Sequence, residues 1–522
     1  MLNQRSFFYA KIPRPKWHLI ALESNIKECY NIIIKIRRIW RKNKYMRKTK
    51  IVCTIGPATK DVEILKKAIL AGMNVARINF SHGGYEEQKE YIDAVKEARK
   101  ELDIPVALMM DTQGPEIRTG ELEKMPIRLE TNDVITLVNK DIIGNKEKVS
   151  ISYKELYKDI KVGAKILIDD GKIELQVIEI KNKDVICKVT NGGMLGDRKS
   201  INLPGTHVNI PSLKEKDIQD LKDVAREDFD FIAASFIRSA NDVRAIRKVL
   251  DENGGESIKI ISKIENQEGI DNLDEIIEES DGIMVARGDL GVEIPFYEVP
   301  IMQKKLIQKC NEAGKMVITA TQMLDTMTEY PNPTRAEVSD VANAIFDVTG
   351  AIMLSGESAM GKYPVKCVET MNIIATTSEE YIKYWKRYTR RSHDLRNRDY
   401  EYKLNYSVAT TAMEMEADAI LAYTETGNTA RILASFLPQC PIYALTSNEK
   451  TYRQLSLAWN TTPILIKGKR TPNAIISEGI EEVKRRGLVK EGDIAIIAGG
   501  ASILSDRHEE AINKTIGGVL KI

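Results

Sequence analysis

From residue 49 onward the chain alternates short, continuous apolar runs with amphipathic stretches of helix length. The β-rich runs occupy 50–53, 75–78, 106–110, 231–234, 259–261, 282–285, 316–319 and 351–354. Short apolar, β-rich runs of this length, bounded by polar or Gly-rich turns, read as buried strands of a parallel sheet. Between them, segments such as 61–71 and 85–102 carry apolar residues at helical spacing. Strand and helix in alternation predict a parallel sheet, and eight such units predict an α/β fold of the (β/α)8 TIM-barrel kind.

Polar residues cluster directly after each run. They are Thr54; Asn79-Phe80-Ser81-His82; Asp111-Thr112; Ser235; Lys263-Ile264-Glu265; Arg287-Gly288-Asp289; Thr321-Gln322; and Ser355-Gly356-Glu357. These positions are the C-terminal strand ends, where barrel active sites are built. One polar loop residue means little, but eight in succession define a face.

About a hundred residues, 114–230, interrupt the rhythm between the third and fourth runs. Residues 131–190 alternate like short strands, and Asp170-Gly171 is a hairpin signal. This predicts a β-rich domain inserted on the active-site face, able to close as a lid. After about residue 380 the pattern changes again. The stretch 386–403 is crowded with charge, and α/β runs follow at 419–423, 441–445 and 493–498. The expected divisions are a barrel over 47–113 and 205–380, an inserted β-barrel lid over 114–204, and a C-terminal α/β regulatory domain over 381–522.

Charge separates the first residues from the rest. Residues 1–45 hold eleven Lys/Arg and two Glu, a net +9 within a chain whose formal charge is +2, so the remainder is −7. Such an acidic body does not fit a nucleic-acid binder. For the basic segment 1–46 three readings compete: a helix lying on a membrane surface, an organelle transit peptide, and translation from an upstream in-frame start, with Met46 opening the working enzyme. Six cysteines are scattered without a C-x-x-C, which indicates neither a zinc ribbon nor a disulfide framework and fits a reducing cytoplasm. No apolar run approaches the ~20 residues that span a bilayer.

Lys263 and Glu265 lie two residues apart on one strand, so their side chains share a face. A Glu there can hold a metal while a Lys neutralises a phosphoryl group in transfer. Glu265 and Asp289 end neighbouring strands, and two converging carboxylates suit an oxygen-ligated ion such as Mg2+; the same residues could instead form plain ion pairs. Arg77 suits a phosphate oxyanion. Ala286-Arg287-Gly288-Asp289 offers backbone N–H groups to a carboxylate if a helix begins there. Gly356-Glu357-Ser358-Ala359-Met360-Gly361-Lys362 fits the spacing of a P-loop, but Tyr363 stands where that motif needs Ser or Thr, so a turn leaving the eighth strand is expected. Thr424-Glu425-Thr426-Gly427-Asn428-Thr429 fits either a phosphate cradle or an ordinary helix cap.

The segment 258–270 resembles the signature of the pyruvate kinase family. Supporting stretches are Thr54-Ile55-Gly56-Pro57-Ala58-Thr59, Arg77-Ile78-Asn79-Phe80-Ser81-His82-Gly83, Asp111-Thr112-Gln113-Gly114-Pro115-Glu116-Ile117-Arg118-Thr119-Gly120, Asn202-Leu203-Pro204-Gly205, Ala286-Arg287-Gly288-Asp289-Leu290-Gly291 and Pro333-Thr334-Arg335-Ala336-Glu337-Val338-Ser339-Asp340. The resemblance covers nearly all of 47–522. It implies phosphoryl transfer from phosphoenolpyruvate to ADP, giving pyruvate and ATP. It implies Mg2+ (or Mn2+) on Glu265 and Asp289, and K+ on Asn79, Ser81, Asp111 and Thr112. Glu116 is the residue type of K+-requiring members. Lys263, Arg77 and Thr321 match the catalytic set, with Ala286, Arg287, Gly288 and Asp289 beside the substrate. Thr54, Pro57, His82, Arg118 and Lys199 match nucleotide-side positions. The loop of Thr424, Thr426, Gly427, Asn428 and Thr429 matches the family's site for a sugar-phosphate or nucleotide effector. A cytoplasmic homotetramer is also implied. Near the end, Asn513-Lys514-Thr515 followed by Gly517-Gly518 departs from the family pattern, which leaves the effector open. The rival readings are a metal-dependent barrel lyase or aldolase acting on pyruvate enolate, and a pseudoenzyme anchored by its basic N-terminus.

Overall fold

The eight apolar runs form eight strands: β1 Lys50–Thr54, β2 Val75–Asn79, β3 Ala107–Asp111, β4 Phe231–Ala234, β5 Lys259–Ile264, β6 Gly282–Ala286, β7 Met316–Ala320 and β8 Ala351–Leu354. The computed structural model describes residues 47–390, 398–467, 472–499 and 516–522. The readings of 1–46 and of Asn513–Thr515, and the centre of the charged stretch 386–403, lie outside the described residues. Each strand pairs in parallel with its sequence neighbours, and β8 closes on β1 through Lys50 opposite Ala351. Six of the eight strands run past the last residue of their apolar run. In four of them the added residues include a polar one, Thr54, Asn79, Asp111 or Lys263, which stays paired in the ladder at the end of the barrel where the site lies.

Local chemistry starts and stops the helices. Asp61 caps the helix Val62–Ala71, its carboxylate accepting from the N–H groups of Glu63 at 2.8 Å and Ile64 at 3.1 Å. That helix ends at Gly72, whose φ of +128° suits a residue without Cβ. Inside the barrel, Val52, Val75, Met109, Phe231, Ile261, Met284, Ile318 and Met353 make a dry core. Leu457, from the C-terminal part of the chain, is buried in that same cluster and stoppers the barrel from its N-terminal end.

The inserted segment has its own core, around Ile135, Ile166, Leu175, Val177 and Cys187. It forms a seven-stranded sheet and a separate two-stranded one. The seven-stranded sheet curls so that its edges meet. Thr119 bridges Ile151, the Gly120 N–H donates to Ser150 O at 2.8 Å, and the Ser152 N–H donates to Arg118 O at 2.9 Å. The expected hairpin is present, with Ile168 opposite Ile173 and positive φ at Asp169, Asp170 and Gly171. The inserted segment leaves the C-terminal end of β3, so it lies over the site face.

The C-terminal part is a five-stranded sheet ordered Thr461–Leu465, Ile442–Thr446, Ala419–Tyr423, Ile494–Gly499, Ile516–Lys521, the last antiparallel. Pro463 is tolerated in Thr461–Leu465 because that strand is an edge. Ion pairs bind this sheet's helices to the barrel floor: Arg453 Nε lies 3.1 Å from Asp230 and its NH2 pairs with Asp228. Gln454 donates to the carbonyls of Asp230 and Ser257, directly beneath β4 and β5.

Candidate active site

The strand ends converge on one buried cation. Lys263 Nζ donates to Asp111 Oδ1 at 3.1 Å and to Ser235 Oγ at 2.8 Å, and lies 2.9 Å from Glu265 Oε1. Arg77 Nε donates to the other oxygen of Asp111 at 2.6 Å, and its NH1 reaches Thr54 Oγ1 at 2.8 Å. Five strand ends, β1 to β5, thus meet within one hydrogen-bonded cluster. Asp111 and Glu265 are each 1% exposed, so the charges are affordable only because each faces an opposite one.

Burial sets the electrostatics, and neighbours decide its outcome. Burial alone would raise the Asp111 carboxyl, but Arg77 and Lys263 outweigh it and hold the group below its ordinary value. Burial would lower the Lys263 ammonium, but Asp111 and Glu265 outweigh it and hold the group above its ordinary value. Glu265 goes the other way: burial, with Asp289 adding repulsion, keeps its carboxyl high despite Lys263. A buried carboxyl held high beside a second carboxylate is a strain that a divalent cation would relieve.

The fit of a metal can be tested on Glu265. Its Oε2 takes the Phe236 N–H at 2.5 Å, while Oε1 is buried with no hydrogen bond directed at it, Lys263 notwithstanding. Asp289 sits in the first turn of the helix Arg287–Glu293 and is half-buried. Among the described residues no group of three or more His, Cys, Asp or Glu could hold a metal. An octahedral ion on this pair would therefore complete its shell with water and substrate oxygens, as Mg2+ commonly does.

On the far side, Thr321 and Gln322 have φ of +68° and +52°. A β-branched residue in the left-handed region is strained, and here the strain is braced. Arg287 donates to the carbonyls of Ala320, Thr321 and Gln322, and its NH1 pairs with Asp340 at 2.7 Å. The Arg287 guanidinium is thus committed to holding β7's exit. Thr321 Oγ1 donates to Ala320 O at 2.6 Å and accepts the Gly288 N–H at 2.8 Å. A helix does begin at Arg287, with Ala286 before it, but the Gly288 N–H is already engaged.

Asn79 Oδ1 accepts the Ser81 N–H at 3.1 Å, and Lys216 Nζ holds the same turn through Phe80 O at 2.8 Å and Gly83 O at 3.0 Å. The backbone of His82 lies in this turn; its side chain is outside the described set. Thr112 is buried and its Oγ1 accepts the Ser235 N–H at 3.0 Å. In the inserted domain, Arg118 pairs with Glu116 at 2.8 Å and Lys199 Nζ with Asp169 at 3.1 Å. Pro57 opens the short turn after β1. A cavity of about 300 Å³ separates the inserted domain from the barrel, with Asp289, Phe236 and Asn266 on one wall and Asp170, Ser200 and Glu116 on the other.

Two sequence features resolve into structure. Gly356–Ala359 is a short helix leaving β8; Ser358 Oγ donates to Thr54 O at 2.9 Å, and Glu357 accepts the N–H groups of Leu324 and Ser355. The segment 424–429 runs into the helix Asn428–Ser435, whose first two residues are Asn428 and Thr429, and Thr424 is buried. Asn428 Nδ2 and Thr429 Oγ1 bind the Glu401 carboxylate at 2.7 and 3.1 Å, and Thr426 Oγ1 accepts the Asn428 N–H at 3.4 Å. Sequence reasoning placed Ser235 at a strand end and Asp340 in a family stretch but gave neither a task, and it had no signal for the Phe236 N–H.

A family model described as "Pyruvate kinase, barrel domain" matches residues 46–368, and one described as "Pyruvate kinase, alpha/beta domain" matches 403–511. The chain is 48% identical over 456 residues to a pyruvate kinase of Clostridium acetobutylicum, covering 87% of this chain and 96% of that one. It is also 48% identical over 463 residues to a pyruvate kinase of Sporosarcina psychrophila, covering 88% of this chain and 78% of the relative. A crystal structure of a pyruvate kinase from Cryptosporidium parvum superposes with a TM-score of 0.85 at 40% identity, covering 90% of this chain and 96% of that one. With barrel, insertion, C-terminal sheet and the charged strand-end cluster all in place, the chain belongs to the pyruvate kinase family.

Proposed function

We infer that this chain transfers the phosphoryl group of phosphoenolpyruvate to ADP and releases pyruvate and ATP. The observation that supports it most directly is the buried Lys263 ammonium, fixed by Asp111 and Ser235 beside Glu265 at the barrel mouth. The bond from phosphorus to the enol oxygen breaks as one to a β-phosphate oxygen of ADP forms. The enolate left behind takes a proton at its methylene carbon. Lys263 and Arg77 offset charge on the phosphoryl oxygens in flight, and both come pre-positioned, which spares reorganisation at the moment of reaction. Thr321 stands where the enolate's proton is delivered; its hydroxyl is held in one orientation by Ala320 O and the Gly288 N–H, which suits a relay through water.

Glu265 and Asp289 would hold Mg2+ or Mn2+, which when bound polarises the oxygens of the transferring group. Asn79, Ser81, Asp111 and Thr112 would hold K+, and Glu116 leaves room for that separate cation where a Lys would supply a fixed one. Ala286, Gly288 and Asp289 border the substrate, with Arg287 acting from behind them. Thr54, Pro57, His82, Arg118 and Lys199 would face the nucleotide. Arg118 and Lys199 sit in the insertion, so its closure would bring them to the phosphates. The family resemblance supports a cytoplasmic homotetramer with the divisions 47–113 plus 205–380, 114–204 and 381–522, and an effector at 424–429. No described helix is long and apolar enough to cross a membrane.

The test is a coupled assay for pyruvate from phosphoenolpyruvate and ADP, with and without K+ and with candidate sugar phosphates. Pyruvate formation that needs ADP, a divalent cation and K+ is expected. Pyruvate released from phosphoenolpyruvate without ADP would overturn the reading.

A further inference from the structure

The exit of β4 touches both members of the Lys263–Glu265 pair. Ser235 is buried. Its Oγ lies 2.7 Å from Thr112 O, 3.1 Å from Asp111 Oδ1 and 2.8 Å from Lys263 Nζ. A hydroxyl has one hydrogen. The Thr112 carbonyl is its closest acceptor and cannot donate in return, so the hydroxyl lone pairs face the ammonium. Phe236, the next residue, has φ of +55°, and this left-handed turn aims its N–H at Glu265 Oε2.

An ammonium carries three N–H bonds at fixed mutual angles. Apart from Ser235, only Asp111 takes a directed bond from Lys263, and Glu265 Oε1 at 2.9 Å attracts the ammonium without one, so on those two alone the head could still turn about the bond to Asp111. A second fixed acceptor removes the rotation and sets the direction of the third N–H. We propose that Ser235 is a positioning residue for Lys263, its hydroxyl bridging from the Thr112 carbonyl to orient the ammonium toward the transferring phosphoryl group. This rests on the reading that Lys263 acts on that group. Ser235 touches Lys263 and the chain around it, and its effect falls on transfer rather than on proton delivery, which belongs to Thr321 on the opposite strands.

The experiment compares two activities of the whole enzyme with its metal ions: phosphoryl transfer, and exchange of the methyl protons of bound pyruvate with D2O. Ser235→Ala should lower kcat for transfer by roughly 10–100-fold, the usual scale for a partner behind an active group. It should leave KM for phosphoenolpyruvate and the exchange rate within about two-fold, since uniform binding and the proton relay are untouched. Ser235→Cys, which keeps the volume and a weak acceptor, should fall between; it carries the comparison if the alanine variant does not fold. Unchanged transfer in folded enzyme, or a parallel loss of transfer and exchange, would overturn the assignment. Lys263→Met separates the two levels. If that change leaves transfer intact, the reading of Lys263 fails; if it abolishes transfer while Ser235→Ala does nothing, only the positioning role fails.

Discussion

Replacing Lys263 by Met removes one charge and keeps most of the volume, so its effect can be worked from the cluster. Lys263 Nζ meets Asp111 Oδ1 at 3.1 Å. A phosphoryl oxygen approaching to a similar distance, at an effective dielectric of ~20, gains about 5 kcal/mol per unit of charge. If about one unit develops on the group in flight, losing Lys263 slows transfer by on the order of 10⁴-fold. The fold should survive. Asp111 keeps Arg77 Nε at 2.6 Å, and Glu265 keeps the Phe236 N–H. Without the ammonium, Glu265 can take up a proton, because burial already holds its carboxyl high. Enolate protonation should persist, since Thr321 stands on β7's exit, braced by Arg287. Pyruvate formation by coupled assay reads the first activity, and deuterium incorporation into the pyruvate methyl group reads the second, with circular dichroism as the folding control. Equal loss of both activities in a folded variant would refute this division of roles.

Other outcomes follow from the same structure. Lys199→Ala should raise KM for ADP roughly 10-fold or more, the scale of a charge-assisted hydrogen bond, while KM for phosphoenolpyruvate stays put; a shift in the latter alone would contradict the nucleotide-side placement. Burial pushes the Asp230 carboxyl up to about 6 against the pull of Arg453. The folded chain then holds a proton that the unfolded chain has lost, so this group's contribution falls as pH rises from ~4 to ~6, by on the order of 3 kcal/mol, and is level above that. Thermal midpoints of Asp230→Asn across that window should lack this part of the slope, and an unaltered slope would count against it. A chain beginning at Met46 should keep full turnover, because β1 and its flanking bonds from Arg47 and Lys48 all follow that point; a large drop in kcat would assign residues 1–45 a role.

Much of the barrel was legible because its strands are buried on both faces. Continuous apolar runs such as Phe231–Ala234 and Ala351–Leu354 fall in register with the observed strands residue for residue. The C-terminal sheet was only partly legible. Pro463 hides the edge strand Thr461–Leu465, and Gly517-Gly518 hides Ile516–Lys521, which owes its form to pairing with Ile494–Gly499. Arg287 shows a different limit. Its place beside Asp289 suggests substrate, yet its fork geometry is spent on Asp340, 53 positions further along the chain, and on three carbonyls.

The sequence by itself determined which residues stand at the strand ends, because the period of two and the C-terminal position follow from local order alone. It put Lys263 and Glu265 on one face, with Arg77, Asp111 and Thr321 at strand ends; Asp289, also read as a strand end, lies in the first turn of the helix that follows β6. Only the tertiary structure decided how the charges divide. Barrel closure brings Asp111 of β3, Ser235 after β4 and Lys263 of β5 within hydrogen-bond reach, although 152 positions separate Asp111 from Lys263. Burial then makes those contacts decisive: away from water, each charge takes its state from the neighbours that the closed barrel provides.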